Sequence, residues 1–331
     1  MLQDGAQGAT RTEILNALRL SGLRTNDIDH ANKRLADELS LMGPYNDVDI
    51  ENSLWADVSA PLKPAFVLEM QKSYDAHVEN LALRTESGIA AINDWTGEQT
   101  RGKIPKHIKK LNQADSIVLI NTIHFKAPWR YPFEQTHDEP FKLASGQTIS
   151  HPRMKETDHF GYYKAPSFQL AALPYRTGQT IASTMYVFLP KSSMSGFLGS
   201  LSSGNLEKWI SKFDGRRGLL ELPKFKLENS YSLVDSLKKL GIRRAFSPEA
   251  ELHGISEFAD QVSDVQQDTY IDVNEEGTEA AAATSVKILT LGVETRKPFH
   301  MVVDHPFFVI IRDETTKAIL FMGVIRDPRG T

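Results

Sequence analysis

The run from Ser116 to Phe125 is apolar almost throughout, with Asn121 as its one strongly polar interruption before His124. Ten residues are too few for a membrane span and suit a strand. A strand that is apolar on both alternating faces must be covered on both, which calls for layers around a central sheet. Helical periodicity supplies the covers. Thr10 and Glu13 form a capping box ahead of Ile14, Leu15 and Leu18, so a helix is expected to start there. Asn26 or Asp27 caps a second helix carrying Ile28, Leu35 and Leu39. Pro64 to Tyr74 sets Phe66, Val67, Met70 and Tyr74 on one side, and Ile89, Ile92 and Trp95 mark a helix ending near Gly102. Phe197 to Ile210 reads as a helical or turn-rich cover. Ser232 to Leu240 turns Leu233, Val234, Leu237 and Leu240 inward and stops at Gly241.

Further strands are expected at 52–56, 181–189, 218–222, 265–273, 300–303, 307–312 and 319–325, with turns and short strands between Pro132 and Tyr163. The 331 residues contain no internal repeat, charge block or low-complexity linker. The reading is one mixed α+β domain over residues 1–331, a large mixed β-sheet with further sheets covered by helices.

Chemistry is bounded mainly by what is missing. The chain has no cysteine, which removes disulfides, thiol nucleophiles, zinc-thiolate and iron–sulfur sites. A net charge of -4 argues against non-specific nucleic-acid binding, and no apolar run is long enough for a membrane helix. The sequence lacks G-x-S-x-G, H-E-x-x-H, a dinucleotide fingerprint and a Walker loop. Ser236 and Lys239 match S-x-x-K, but on an amphipathic helix with the lysine in solvent. The ten histidines are scattered, and His124 and His305 read as satisfied structural residues. No catalytic residue, metal or cofactor is assigned.

One stretch contradicts its setting. Glu275-Glu276-Gly277-Thr278-Glu279, followed by Ala280, Ala281, Ala282 and Ala283, has the composition of a helical turn. It lies between a strand that places Val265, Gln267, Thr269, Ile271 and Val273 on one face and two apolar strands downstream. Small side chains remove the steric objection to pushing this backbone between existing strands, and Gly277 gives it a pivot. Conflict of propensity with context is expected at functional sites. The alternative is a short exposed helical loop.

Read with the rest of the chain, this stretch resembles the hinge of inhibitory serpins, the serine protease inhibitor superfamily. Asn121 to Trp129, Ile92 to Trp95 with Thr100 to Ile104, Leu222 to Phe225, Leu240 to Ile242, Asp304 to Phe308 and Leu320 to Gly323 resemble other family motifs in order. The resemblance covers essentially the whole chain. It implies an exposed reactive-centre loop over about 275–299 and a suicide-substrate inhibitor that traps a serine protease as a covalent acyl complex. It also implies a metastable native fold and action as a monomer, without cofactor, nucleic acid or membrane. The implied bait residue, the seventeenth when Glu275 is counted as the first, is Leu291 with the scissile bond to Gly292, which points to chymotrypsin-like or elastase-like targets. Arg296 is the rival bait. Asn121 matches the shutter cluster, with Gln267 where a histidine is usual, and Trp129 matches the breach where the loop first inserts.

Met1 to Thr10 matches the end of the family's second helix, so the domain is expected to be N-terminally shortened, by a start codon placed downstream in preference to native truncation. Extracellular action is implied, no signal peptide is visible at Met1, and a cytoplasmic location stays open. Lys106, His107, Lys109 and Lys110 read as a solvated basic face, with a polyanion contact as the alternative. The competing function is a non-inhibitory serpin-fold binding or carrier protein, or an inactive fragment.

Overall fold

The computed structural model describes residues 1–41, 47–104, 108, 116–176, 183–279 and 297–330. In chain order the elements begin α1 (Leu2–Gly5), α2 (Gly8–Ala17), α3 (Thr25–Ser40), β1 (Asp47–Asp57), α4 (Pro64–Tyr74), β2 (His77–Leu81), α5 (Glu86–Gln99) and β3 (Ile117–Pro128). There follow β4 (Gln135–Lys142), β5 (Thr148–Lys164), β6 (Phe168–Pro174), β7 (Ser183–Pro190), α6 (Met194–Ser200), α7 (Ser203–Ile210), β8 (Asp214–Pro223) and β9 (Phe225–Ser232). The chain closes with α8 (Val234–Lys239), β10 (Val262–Val273), β11 (Gly277–Thr278), β12 (Phe299–Val302), β13 (Phe307–Asp313) and β14 (Ile319–Ile325). One sheet has the order β2-β1-β3-β11-β10-β9 and the other β12-β8-β5-β6-β7-β13-β14, with β4 paired to β5. The chain folds as two compact units.

The first unit comprises residues 1–40, 49–124 and 228–270. Here β3 is buried on both faces, as its composition requires. Ile117 and Leu119 join Leu54, Phe66, Met70, Leu252 and Ile255 in one core, while Val118 and Ile120 join Trp55, Leu83 and Ile92 in another. Residues 117–124 of β3 pair in parallel with 262–270 of β10, Gln267 opposite Asn121. Helix α4 begins on Pro64 and ends at Asp75, whose left-handed backbone lets its N–H bond the Met70 carbonyl. The Thr85 hydroxyl caps α5 by accepting from Gly88 N–H.

Two expectations fail here. Helix α2 starts at Gly8, ahead of the supposed cap, and its free N–H groups at Ala9 and Thr10 donate to the Glu251 carboxylate. The capping-box residues serve long-range contacts instead: Thr10 Oγ1 accepts from Glu251 N–H, and Glu13 accepts from the Arg243 and Arg244 amides. Helix α8 packs the half-buried Leu237 against the core, as expected, but leaves Leu240 exposed. Strand β10 buries Asp268 and Tyr270 more deeply than Val265, Gln267 and Thr269 at the alternate positions.

The second unit comprises residues 41–48, 125–227 and 271–331. Its core stacks Phe168 and Leu170 of β6, Phe188 of β7 and Phe308 and Ile310 of β13 under Phe197 of α6, Leu206 of α7 and the half-buried Trp209. Every residue of β7 is buried, which the run of apolar and small polar side chains from Ser183 to Pro190 allows. Strand β5 is 17 residues long where the sequence predicts short strands. It pairs with β4, β8 and β6 along its length.

Candidate functional site

In the second unit the chain leaves β10 at Val273, turns through Asn274 to Glu276, and returns as β11 between the ends of β10 and β3. Thr278 pairs antiparallel with Val273 on one side and with Ala127 on the other, and Gly277 faces Pro128. Position 277 has to be glycine, because a Cβ there would stand 2.2 Å from the Ala127 carbonyl oxygen. The turn is tied down from several elements. Trp129 N–H donates to the Glu276 carbonyl at 2.7 Å, and Phe133 N–H to that of Glu275 at 2.9 Å. The indole Nε1 of Trp129 donates to the Asn274 carbonyl at 2.9 Å. Asn274 Oδ1 accepts from Glu276 N–H at 3.0 Å.

Glu275 is the charged pin of this turn. Its carboxylate accepts from Thr136 Oγ1 at 2.7 Å and from Lys224 Nζ at 2.9 Å. Burial pushes its carboxyl up, but the Thr136 hydroxyl and the Lys224 ammonium outweigh that and hold it below the usual carboxylate range.

Thr278 is fully buried, and its Oγ1 lies 2.8 Å from the Tyr175 hydroxyl. Tyr175 stacks on Trp129 with ring centroids 4.5 Å apart and meets Phe125 edge-on at 4.9 Å. Burial drives the Tyr175 phenol far up, and the Thr278 bond offsets this only in part, so the ring is neutral and available as a donor. Glu279 then turns the chain with a left-handed backbone, φ 49°, while its N–H still reaches the Asp272 carbonyl at 2.8 Å. The first two residues of a strand thus already occupy the seam between β10 and β3.

In the first unit Asn121 Nδ2 donates to Asn52 Oδ1 at 3.0 Å, and Gln267 Nε2 approaches Asn121 Oδ1 at 3.5 Å. The opposite face of the same strand pair carries a second polar group. His124 Nδ1 lies 3.5 Å from Asp49, which Arg101 also contacts at 2.7 Å, and the Lys103 ammonium stands 4.7 Å from the centre of the Tyr270 ring.

The structure therefore brings Glu275, Gly277, Thr278 and Trp129 together, and brings Asn121 beside Gln267. Ala280, Ala281, Ala282, Ala283, Leu291, Gly292 and Arg296 lie outside the described residues, as do Lys106, His107, Lys109 and Lys110. Sequence reasoning missed Tyr175, Thr136, Lys224 and Asn52. Lys224 sits within the Leu222 to Phe225 motif, and Tyr175 directly follows the strand-ending Pro174. Neither position signals a partner some fifty or a hundred residues away.

The family model for serpin (serine protease inhibitor) matches residues 1–328. Leukocyte elastase inhibitor of Sus scrofa is 32% identical over 346 residues, covering 99% of this chain and 89% of that protein. The plasma serine protease inhibitor of Bos taurus is 32% identical over 336 residues, covering 99% and 82%. Among solved structures, human thyroxine-binding globulin complexed with thyroxine superposes with a TM-score of 0.88 at 26% identity, covering 99% of this chain and 88% of that one.

Proposed function

The chain belongs to the serpin family, and from that premise we propose that it inhibits a serine protease by suicide-substrate trapping. The observation that carries this reading is Thr278, seated between β10 and β3 on the Tyr175 hydroxyl with Gly277 as its pivot. The residues that would follow it into the seam, Ala280 to Ala283, are all small, with no proline to remove a ladder donor and no charge to bury.

The protease serine attacks the bait carbonyl, forms an ester to the bait residue, and releases the downstream segment as a free amine. Water would normally hydrolyse that ester. The freed upstream segment instead continues the path begun by β11 and pairs with both neighbouring strands. The attached protease is pulled with it, and displacements of about 1 Å already cost roughly 10²-fold in such chemistry. Leu291-Gly292 is the proposed scissile bond, which favours chymotrypsin-like or elastase-like targets, as the name of the elastase inhibitor relative also suggests. The name of the plasma relative supports an extracellular site of action.

The test is titration against chymotrypsin, an elastase and trypsin, followed by denaturing gels and mass spectrometry of the released peptide. A band that survives denaturant with a peptide starting at Gly292 is expected. A start at Lys297 moves the bait to Arg296. Clean cleavage with no covalent band overturns inhibition and turns attention to a binding role, which the likeness to a thyroxine-bound globulin would support. Thr278→Arg should abolish the covalent band and leave cleavage intact.

A further inference from the structure

A recess of about 420 Å³ opens in the second unit where three stretches meet: the end of β4, the link from β7 to α6, and the link from β12 to β13. Lys142 and Leu143 line it from the first, Lys191 and Ser192 from the second, and Asp304 and His305 from the third. Backbone bonds hold these walls. Lys142 N–H donates to the Asp304 carbonyl at 2.8 Å, and Lys191 N–H to the Ser167 carbonyl at 2.8 Å. Leu143 is buried and supplies an apolar wall.

The charges of the lining do not cancel. Asp304 is its one acid, and that acid is already answered. The carboxylate lies 2.7 Å from His305 Nδ1, while His305 Nε2 lies 2.8 Å from the Pro190 carbonyl oxygen. Both ring nitrogens face acceptors, and only the imidazolium donates to both. Lys191 Nζ donates to the Ala165 and Pro166 carbonyls at 2.7 and 2.9 Å. These neutral partners fix the ammonium without cancelling its charge, and they leave one of its three N–H groups for a ligand. Among the described residues the Lys142 ammonium has no ion pair. Two uncompensated cations and the Ser192 hydroxyl thus share one recess.

We propose that this recess binds a small organic polyanion with at least two oxyanion groups, one met by Lys142 and the other by Lys191, with Ser192 donating to either. The volume lies at the small end of ligand pockets, which run from roughly 300 to 1,000 Å³. It suits a compact tricarboxylate or a sugar bisphosphate. Lysine meets carboxylate and phosphate alike as a point charge, without the planar fork of arginine. The bound polyanion bridges β4 and the two links, so it stabilises the folded chain by mass action. The site does not depend on loop insertion.

The test is calorimetric titration of the whole protein with tricarballylate and with fructose 1,6-bisphosphate at constant ionic strength, with acetate as the control. One saturable site is expected for at least one of the two probes and none for acetate, and the tighter probe identifies the anionic group as carboxylate or phosphate. Lys142→Gln, at an exposed and unpaired position, should weaken binding about tenfold or more, as expected for losing a hydrogen bond to a charged group. Lys239→Gln makes the same charge change on an exposed lysine of the first unit and should leave affinity within about twofold. Asp304→Asn keeps an acceptor for His305 but removes the acid, and should tighten binding about threefold or more. At a probe concentration about a hundredfold above its dissociation constant, the melting temperature should rise by a few degrees, and Lys142→Gln should roughly halve that rise. Absence of saturable binding by both probes overturns the proposal. So does binding that Lys142→Gln and Lys239→Gln weaken alike, because that reports net charge and not a site. Neither readout involves a protease, so failure of the inhibitory reading would show separately.

Discussion

Thr278 and Tyr175 share a hydrogen bond from which water is excluded, which makes the pair sensitive to losing one partner. Tyr175→Phe leaves Thr278 Oγ1 buried and unsatisfied, at a cost of about 1–3 kcal/mol. Adding Thr278→Val removes the stranded oxygen and should recover much of that loss. Urea midpoints of the single and double variants decide it, and additive losses would mean that the two hydroxyls are not coupled. Glu275 sets a pH dependence. Because its folded value is lowered, its stabilising contribution is present above the ordinary glutamate value of about 4.3 and is lost as pH falls through the lower folded value. Protection of the 274–278 amides, corrected for the intrinsic pH dependence of exchange, should therefore fall below about pH 4, and Glu275→Gln should flatten that dependence. Asp4 has the opposite sign. Burial, with the Asp29 carboxylate adding to it, pushes the Asp4 carboxyl up to about 6. The protonated fold is favoured, so this group's contribution is full below the ordinary aspartate value and lost as pH rises through about 6. Asp4→Asn should gain roughly 1 kcal/mol at pH 7 relative to pH 4 in denaturant titrations.

At the scale of elements, β11 is the part of the hinge that a single substitution tests. Gly277→Ala sets a Cβ against the Ala127 carbonyl and should unseat the two-residue strand, seen as faster exchange at Thr278 and altered Trp129 fluorescence. Unchanged exchange would show that β11 tolerates a side chain. Elements whose pattern reports burial were legible: β3 from its two-sided apolar run, α4 from Pro64 and its periodicity, and β13 and β14 from composition. Elements stabilised by distant partners were not. Thr10 and Glu13 look like a cap in sequence, but the 243–251 segment competes for both and donates a carboxylate to the helix start in exchange. The apolar positions of α8 promise an inward face, yet Leu240 remains in solvent. The hinge motif gave Gly277 and Thr278, but nothing local indicates that Tyr175 receives the threonine hydroxyl or that Lys224 and Thr136 hold Glu275.

Across the whole chain, inhibition by insertion requires a native state that is not the most stable arrangement of its own strands. Over 117–124 and 262–270, β3 and β10 pair in parallel. A strand continuing from β11 would replace that one parallel interface with two antiparallel ones, the more stable pairing per residue. On the proposed mechanism, cleavage of the loop is what would release the chain into that arrangement. The most direct test is to cut the loop with a protease within residues 284–296, keep both fragments together, and compare thermal unfolding with the uncut protein. Insertion behind Thr278 should raise the melting temperature by roughly 10 °C or more, since each added kcal/mol shifts a chain of this size by a few degrees at most. A cut protein that melts at or below the uncut one would contradict loop insertion and, with it, the proposed mechanism.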